Sequence, residues 1–266
     1  MLAKQRLGRR LRRLRLHARM SLDEAAVLLD TPRSSLQRME TGVTYANVHF
    51  VRSAMDVCDC RDDELIDLAR RAKQRGWWQD YGLKGLGYTA LETEAAEARN
   101  WEVMYVPGLL QIESYMRALF RGGHPRSEES IRNDVTVRLR RQERLADMER
   151  PLRLTAIVDE AVLRRPVGGV DVMRAQLDYL REIVELPTVG LQVVPYDRGE
   201  HQGMRGAFTI LRFEHDEDPD MLYMGKVVGS SQTENAEEVK EATLVFDRLR
   251  SVALSSEETI AFIGRL

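Results

Sequence analysis

The sequence predicts two folds in one chain: an all-α, five-helix domain over residues 1–75, followed by a larger α/β (α+β) domain with a mixed or antiparallel sheet over 76–266. Three observations lead there. Apolar residues recur with the helical period as far as Arg75, glycine and tryptophan crowd the stretch directly after it, and short β-branched runs bounded by Pro and Gly appear from Leu152 onward.

Leu7, Leu11, Leu14 and Ala18 form one apolar stripe, which predicts a helix from about Lys4 to His17 with arginines on its other faces. Ser21 and Glu24 are spaced as a capping box, so a second helix starts there and turns Leu22, Ala25, Ala26 and Leu29 inward. Asp30 and Thr31 interrupt it. Pro32 suits the first turn of a third helix that runs to about Thr41 with Leu36 and Met39 inward, and Gly42 supplies the stop. Val48 to Val57 and Asp62 to Arg75 are the fourth and fifth helices.

Two short helices joined by a tight turn behind an arginine-laden segment are how a small domain lays a helix in the major groove of DNA. That arrangement leaves Arg33, Ser34, Ser35, Gln37 and Arg38 on the front or outer side of the third helix. Arg can read guanine, Gln can read adenine, and hydroxyls suit either bases or backbone. Arg33, Ser34 and Gln37 are the expected base contacts; Arg38 and amino-terminal arginines such as Arg10 and Arg13 are expected on phosphates. Arg38 has an alternative partner in Glu40 or Glu24.

The formal charge of −2 conceals an uneven distribution: 16 Lys and Arg against 10 Asp and Glu up to Arg75 give +6, and the remainder gives −8. From Lys4 to Arg19 eight basic residues occur without one acidic residue. Such a run attracts a polyanion; the alternatives are a solvated helix face or an anionic membrane surface. No secretory signal and no membrane-long apolar stretch is present, which predicts a cytoplasmic protein. Cys58 and Cys60, with His49 nearby, lack the second ligand pair of a zinc module, so neither metal nor cofactor is expected.

The segment from Leu7 to about Arg75 resembles the helix-turn-helix of the Xre and phage-repressor family, through Ser21-Leu22-Asp23-Glu24, Ala26, Arg33-Ser34-Ser35, Arg38-Met39-Glu40 and Gly42. The resemblance implies a homodimer on a palindromic double-stranded operator. Asp30 and Thr31 stand where the family usually has a glycine and an apolar residue; Asp tolerates a left-handed backbone better than most residues.

In the second half, Ala90 to Val103, Leu109 to Phe120 and Glu128 to Glu149 read as helices. Leu152 to Val158, Val189 to Val194, Ala207 to Phe213 and Met221 to Met224 read as strands, and Val170 to Leu186, Ala236 to Ala253 and Ser256 to Gly264 as helices. The strings Val106-Pro107-Gly108-Leu109-Leu110-Gln111, Arg141-Gln142, Asp159 to Arg165, Met173-Arg174-Ala175-Gln176-Leu177 and Val194-Pro195-Tyr196 resemble the carboxy-terminal domain of WhiJ-like regulators. That resemblance implies a transcription regulator commonly encoded beside a small companion protein.

No nucleophile motif or phosphate-cradling loop accompanies Asp159, Glu160 or His201, so no catalytic residue is assigned. The adjacent carboxylates are expected to supply a helix cap, and His201 lies in a glycine-rich loop of the kind that carries binding residues. Trp77, Trp78, Tyr81, Trp101 and Tyr105 could line a site for a small-molecule effector, or pack as core joining the two domains. An adaptor working through protein contacts, or an enzyme in the second domain, are the rival readings.

Overall fold

The computed structural model describes residues 2–74, 76–81, 87–123, 126–215, 218–226 and 228–266. The residues up to Gln79, with a short stretch ending at Leu91, form one compact unit, and Glu92–Leu266 form the body of the other. Arg75, Gly82 and Gly85 lie outside the described residues.

The first unit contains α1 (Leu2–His17), α2 (Leu22–Leu28), α3 (Arg33–Glu40), α4 (Val48–Val57) and α5 (Asp63–Lys73). Its core joins Leu7 and Leu11 of α1 to Val51, Ala54 and Met55 of α4 and Leu65, Leu68 and Ala69 of α5. Each fully buried leucine contributes roughly 1.5–3 kcal/mol of transfer free energy, which orders an otherwise strongly cationic α1. Ala25 and Ala26 of α2 meet Leu36 of α3 in a smaller cluster, where the small side chains let the two helices approach.

Helix ends follow the side chains that cap them. Ser21 and Glu24 form the predicted capping box, Asn47 accepts from the Phe50 amide (2.9 Å), and Asp62 accepts from the Leu65 amide. Three helices close on non-glycine residues in the left-handed region, Arg19, Asp30 and Asp59, with φ of 57°, 46° and 47°. Asp30 takes the place usually given to glycine: the Thr31 amide donates to Ala26 and the Asp30 amide to Val27, satisfying the last carbonyls of α2.

A 3-10 turn (Trp77–Tyr81) and α6 (Tyr88–Glu92) lead into the second unit. Its strands are β1 (Glu97–Glu102), β2 (Arg153–Asp159), β3 (Val189–Val194), β4 (Phe208–Arg212), β5 (Met221–Gly225) and β6 (Ser230–Thr233). They make one mixed sheet in the order β3-β2-β1-β4-β5-β6, with β1, β2 and β3 parallel and β4, β5 and β6 joined antiparallel. Helices α7 (Glu113–Gly122) and α8 (Glu128–Gln142) lie between β1 and β2, and α9 (Glu160–Arg164) and α10 (Val170–Ile183) between β2 and β3. These are the crossovers that parallel pairing requires. Helices α11 (Ala236–Val252) and α12 (Ser256–Ile263) follow the sheet. Phe246 and Leu249 of α11 pack on Trp101, Ile157, Val194 and Ile210.

Three expectations are corrected. Ala90 to Val103 is not one helix: α6 ends at Glu92 and β1 begins at Glu97. The helix expected from Leu109 starts at Glu113, behind a 3-10 turn at Gly108–Leu110, and the one expected to reach Glu149 ends at Gln142 before a 3-10 turn at Glu143–Leu145. Strand β6, a polar Ser-Ser-Gln-Thr edge, is an element that the sequence pattern does not announce.

Candidate nucleic-acid interface

Helix α3 has two sides of opposite chemistry. Leu36 and Glu40 are buried and Met39 half-buried, whereas Arg33, Ser34, Gln37, Arg38 and Thr41 are exposed. At 3.6 residues per turn, the exposed set occupies one arc of the helix, so the outward surface is polar throughout. Ser35 is half-buried at the margin of that arc. The Arg33 Nε donates to Asp23 Oδ1 of α2 (2.9 Å), and both side chains are largely exposed, so this pair is weak enough to exchange for another acceptor.

The carboxyl end of α3 is fixed by groups that sequence reasoning passed over. Glu40 is 5% exposed and receives Arg15 of α1 in a fork: Nε to Oε1 at 2.6 Å and a terminal nitrogen to Oε2 at 2.8 Å. The remaining terminal nitrogen of Arg15 donates to the Met20 carbonyl (2.9 Å). Hydrogen bonds to Glu40 push the Arg15 guanidinium above its ordinary range. Arg38 is therefore not the partner of Glu40, and it lies exposed on the outer arc.

Glycine makes the approach of α1 possible. A Cβ on Gly8 would sit 2.5 Å from the Met39 carbonyl oxygen and 2.6 Å from that of Glu40, so α1 touches the backbone of α3 where no side chain intervenes. Gly42, at φ +70°, packs against Gln5, and the Lys4 ammonium donates to the Val43 carbonyl. The legible hints were small: Gly8 and Arg15 flank the Leu7–Leu11 stripe, the side of α1 that had to meet something.

The arginines of α1 are thus divided in role. Arg10 donates to Asp62 (2.5 Å) and Glu64 (3.3 Å) and ties α1 to the start of α5, so a phosphate would have to compete with this pairing. Arg15, half-buried, is engaged in the Glu40 fork. Arg12 and Arg13 are exposed.

The aromatic residues expected around an effector have separate roles. Trp77 and Trp78 meet edge to face at 6.0 Å, and Trp78 is buried. Tyr81 is half-buried. Trp101 is fully buried on β1, packs in the sheet core and donates Nε1 to the Gly203 carbonyl (2.9 Å); Tyr105 is exposed. The expected cap is present: Asp159 accepts from the Ala161 amide (2.8 Å), and Glu160 takes the Tyr196 amide (2.8 Å) and Arg164. The His201 ring stands edge to face on Trp101 at 5.4 Å with Nε2 3.6 Å from Asp159, packed in place within its loop.

Three of the five strings singled out in the second half converge on the segment after β1. Gln142 donates to the Gln111 carbonyl (2.7 Å), Gln176 donates to the Leu110 carbonyl (2.7 Å) and accepts from the Ile112 amide (2.8 Å), and Gln111 donates to the Val106 carbonyl (2.6 Å). The Val106 amide donates to the Tyr115 hydroxyl.

Among the described residues, no helix is long and apolar enough to cross a membrane and no three His, Cys, Asp or Glu side chains are grouped to hold a metal ion. Cys58 is half-buried and Cys60 exposed. No curated protein and no solved structure matches the chain. Residues 6–69 match a family described as a helix-turn-helix domain, in agreement with the α2–turn–α3 geometry. Residues 87–265, more than half of the chain, match the domain of unknown function DUF5753, and the protein belongs to that family.

Proposed function

We propose that this protein is a sequence-specific, DNA-binding transcription regulator of the Xre type, acting in the cytoplasm as a homodimer, with a WhiJ-like second domain that senses a small molecule or a companion protein and carries out no catalysis. The observation that carries the reading is the polar outer arc of α3, clamped to α1 through Arg15 and Glu40 and presented as one rigid face. Arg33, Ser34 and Gln37 read base edges, with Ser35 at the margin; Arg38 and Arg13 meet phosphates. Dimerisation follows from size: an eight-residue helix covers too few base pairs to select a genomic site alone.

Binding of the full chain to genomic fragments across a salt series tests this. A DNA reader loses affinity steeply with salt, because phosphate contacts release counterions. Arg33→Ala is expected to weaken the selected operator by about 1–3 kcal/mol and to relax base preference. Binding indifferent to salt, or an Arg33→Ala variant with unchanged base preference, would favour an adaptor that works through protein contacts.

A further inference from the structure

The carboxyl end of β1 gathers polar groups whose hydrogen-bonding capacity the chain leaves open. Asn100 is 6% exposed; its Nδ2 donates to Thr209 Oγ1 (2.8 Å) and to Glu102 Oε1 (3.3 Å). Its Oδ1 is buried and has no hydrogen-bond donor among the described residues. A buried acceptor left without a donor costs about 1–3 kcal/mol, so such an atom in a native fold calls for an explanation.

Around it stand two opposite charges that do not meet. Arg138 of α8 donates to Gln111 Oε1 and lies over the Phe120 ring, 4.7 Å from its centroid, which fixes the plane of the guanidinium. Glu102 and Arg138 each feel the field of the other, yet no ion pair joins them among the described residues. Burial pushes the Glu102 carboxyl up to about 7, against the bond from Asn100 and the charge of Arg138. Burial, helped by Arg141, pushes Arg138 down to about 10. Each charge is held where a counter-charge would relieve it. The backbone behind them is over-determined by Gln111, Gln142 and Gln176, and Met104 and Tyr105, next along the chain, are exposed.

These groups narrow the ligand. A bare anion would satisfy Arg138 but face Glu102, and a bare cation would satisfy Glu102 but face Arg138. An apolar molecule would leave Asn100 Oδ1 without a donor. A molecule with an anionic group and a charged N–H donor side by side answers all three, and its remaining part can lie against Met104 and Tyr105. We propose that the carboxyl end of β1 is a binding site for a small zwitterion of the α-amino-acid class, with its carboxylate on Arg138 and its ammonium between Asn100 Oδ1 and Glu102. The site rests on the reading of the second domain as a sensor, and it supplies the ligand class that reading lacks.

Thermal unfolding of the full chain in each standard amino acid, with the matching decarboxylated amine and deaminated acid as controls, tests the site. At least one amino acid is expected to raise the melting temperature, and its amine and acid are not. Glu102→Gln keeps the shape and the bond from Asn100 but removes the charge, and should weaken binding about tenfold; Asn100→Ala should weaken it as well. No shift with any amino acid, an equal shift with the amine alone, or undiminished affinity in both variants would overturn the assignment. Operator binding is measured on the same samples. A protein that binds DNA without any amino-acid shift sinks the site and leaves the reader standing, whereas a shift in a protein that binds no DNA upholds the site and sinks the reader.

Discussion

Replacing Glu40 by Gln would show whether α3 is held by its ion pair or merely decorated by it. Glu40 is 5% exposed and the Arg15 side chain 11%, so removing the carboxylate strands a guanidinium that water reaches poorly. Breaking one partner of a buried pair costs about 3–5 kcal/mol, most of it the penalty of the orphaned charge. Typical domains have about 5–15 kcal/mol in total, so the helical domain of Glu40→Gln should be close to unfolding at 37 °C. Arg15→Met with Glu40→Leu removes both charges together and should recover to within about 1 kcal/mol of the wild type. Urea unfolding followed by far-ultraviolet circular dichroism gives the stabilities, and hydrogen exchange localises the loss to α1–α3. The reasoning fails if Glu40→Gln costs under about 1 kcal/mol. It fails also if Arg15→Ala weakens all DNA alike at unchanged stability, since Arg15 would then be a phosphate contact.

Gly8→Ala should destabilise the domain by about 1–3 kcal/mol despite the better helix propensity of alanine, because the new Cβ meets backbone oxygens at 2.5 and 2.6 Å; calorimetry reads the loss. Asp30→Gly should stabilise by about 0.5–1 kcal/mol by relieving a left-handed aspartate, and an unchanged melting temperature would count against the strain. Glu102 holds its proton to about pH 7 in the folded chain, against an ordinary value of 4.5, so its stabilising share is complete at acid pH and is lost as pH rises from 4.5 through 7. Glu102→Gln should therefore match the wild type near pH 4 and exceed it by about 1–3 kcal/mol near pH 8, and parallel stability profiles for the two proteins would refute the assignment.

The first unit was legible because its determinants are local. A stripe of leucines, one capping box and a Pro–Gly bracket fix α1, α2 and α3 within a residue or two, and α4 was placed from Val48 to Val57 as observed. Beneath this, the ion pairs of Arg10 and Arg15 are not legible for a single reason: sequence counts charges along the chain, whereas their carboxylate partners lie 52 and 25 residues away. Strand β1 misled in another way. Leu91, Ala95, Ala98 and Trp101 have helical spacing, but Ala98 and Trp101 point to opposite faces of a strand buried on both sides, and burial on both faces erases the alternation that marks a strand. Strand β6 has no apolar residue to announce it.

The strings that looked like sequence signatures of the second domain bear on function through structure, not chemistry. Gln111, Gln142 and Gln176 hold the carbonyls of one short segment, and Glu160 holds the Tyr196 amide, so four of the five strings hold backbone at the carboxyl ends of β1 and β3. A buried glutamine that satisfies a loop carbonyl contributes on the order of 1 kcal/mol, and several together leave the loop one conformation. A lid or hinge needs the reverse, few bonds and easy opening. Asp159 and Glu160 are likewise engaged in structure, as a helix cap and a strand-end clamp, and His201 rests on Trp101. Rigid backbone beneath half-buried Glu102 and Arg138 suits the amino-acid site proposed above, since binding sites gain precision from supports that do not move.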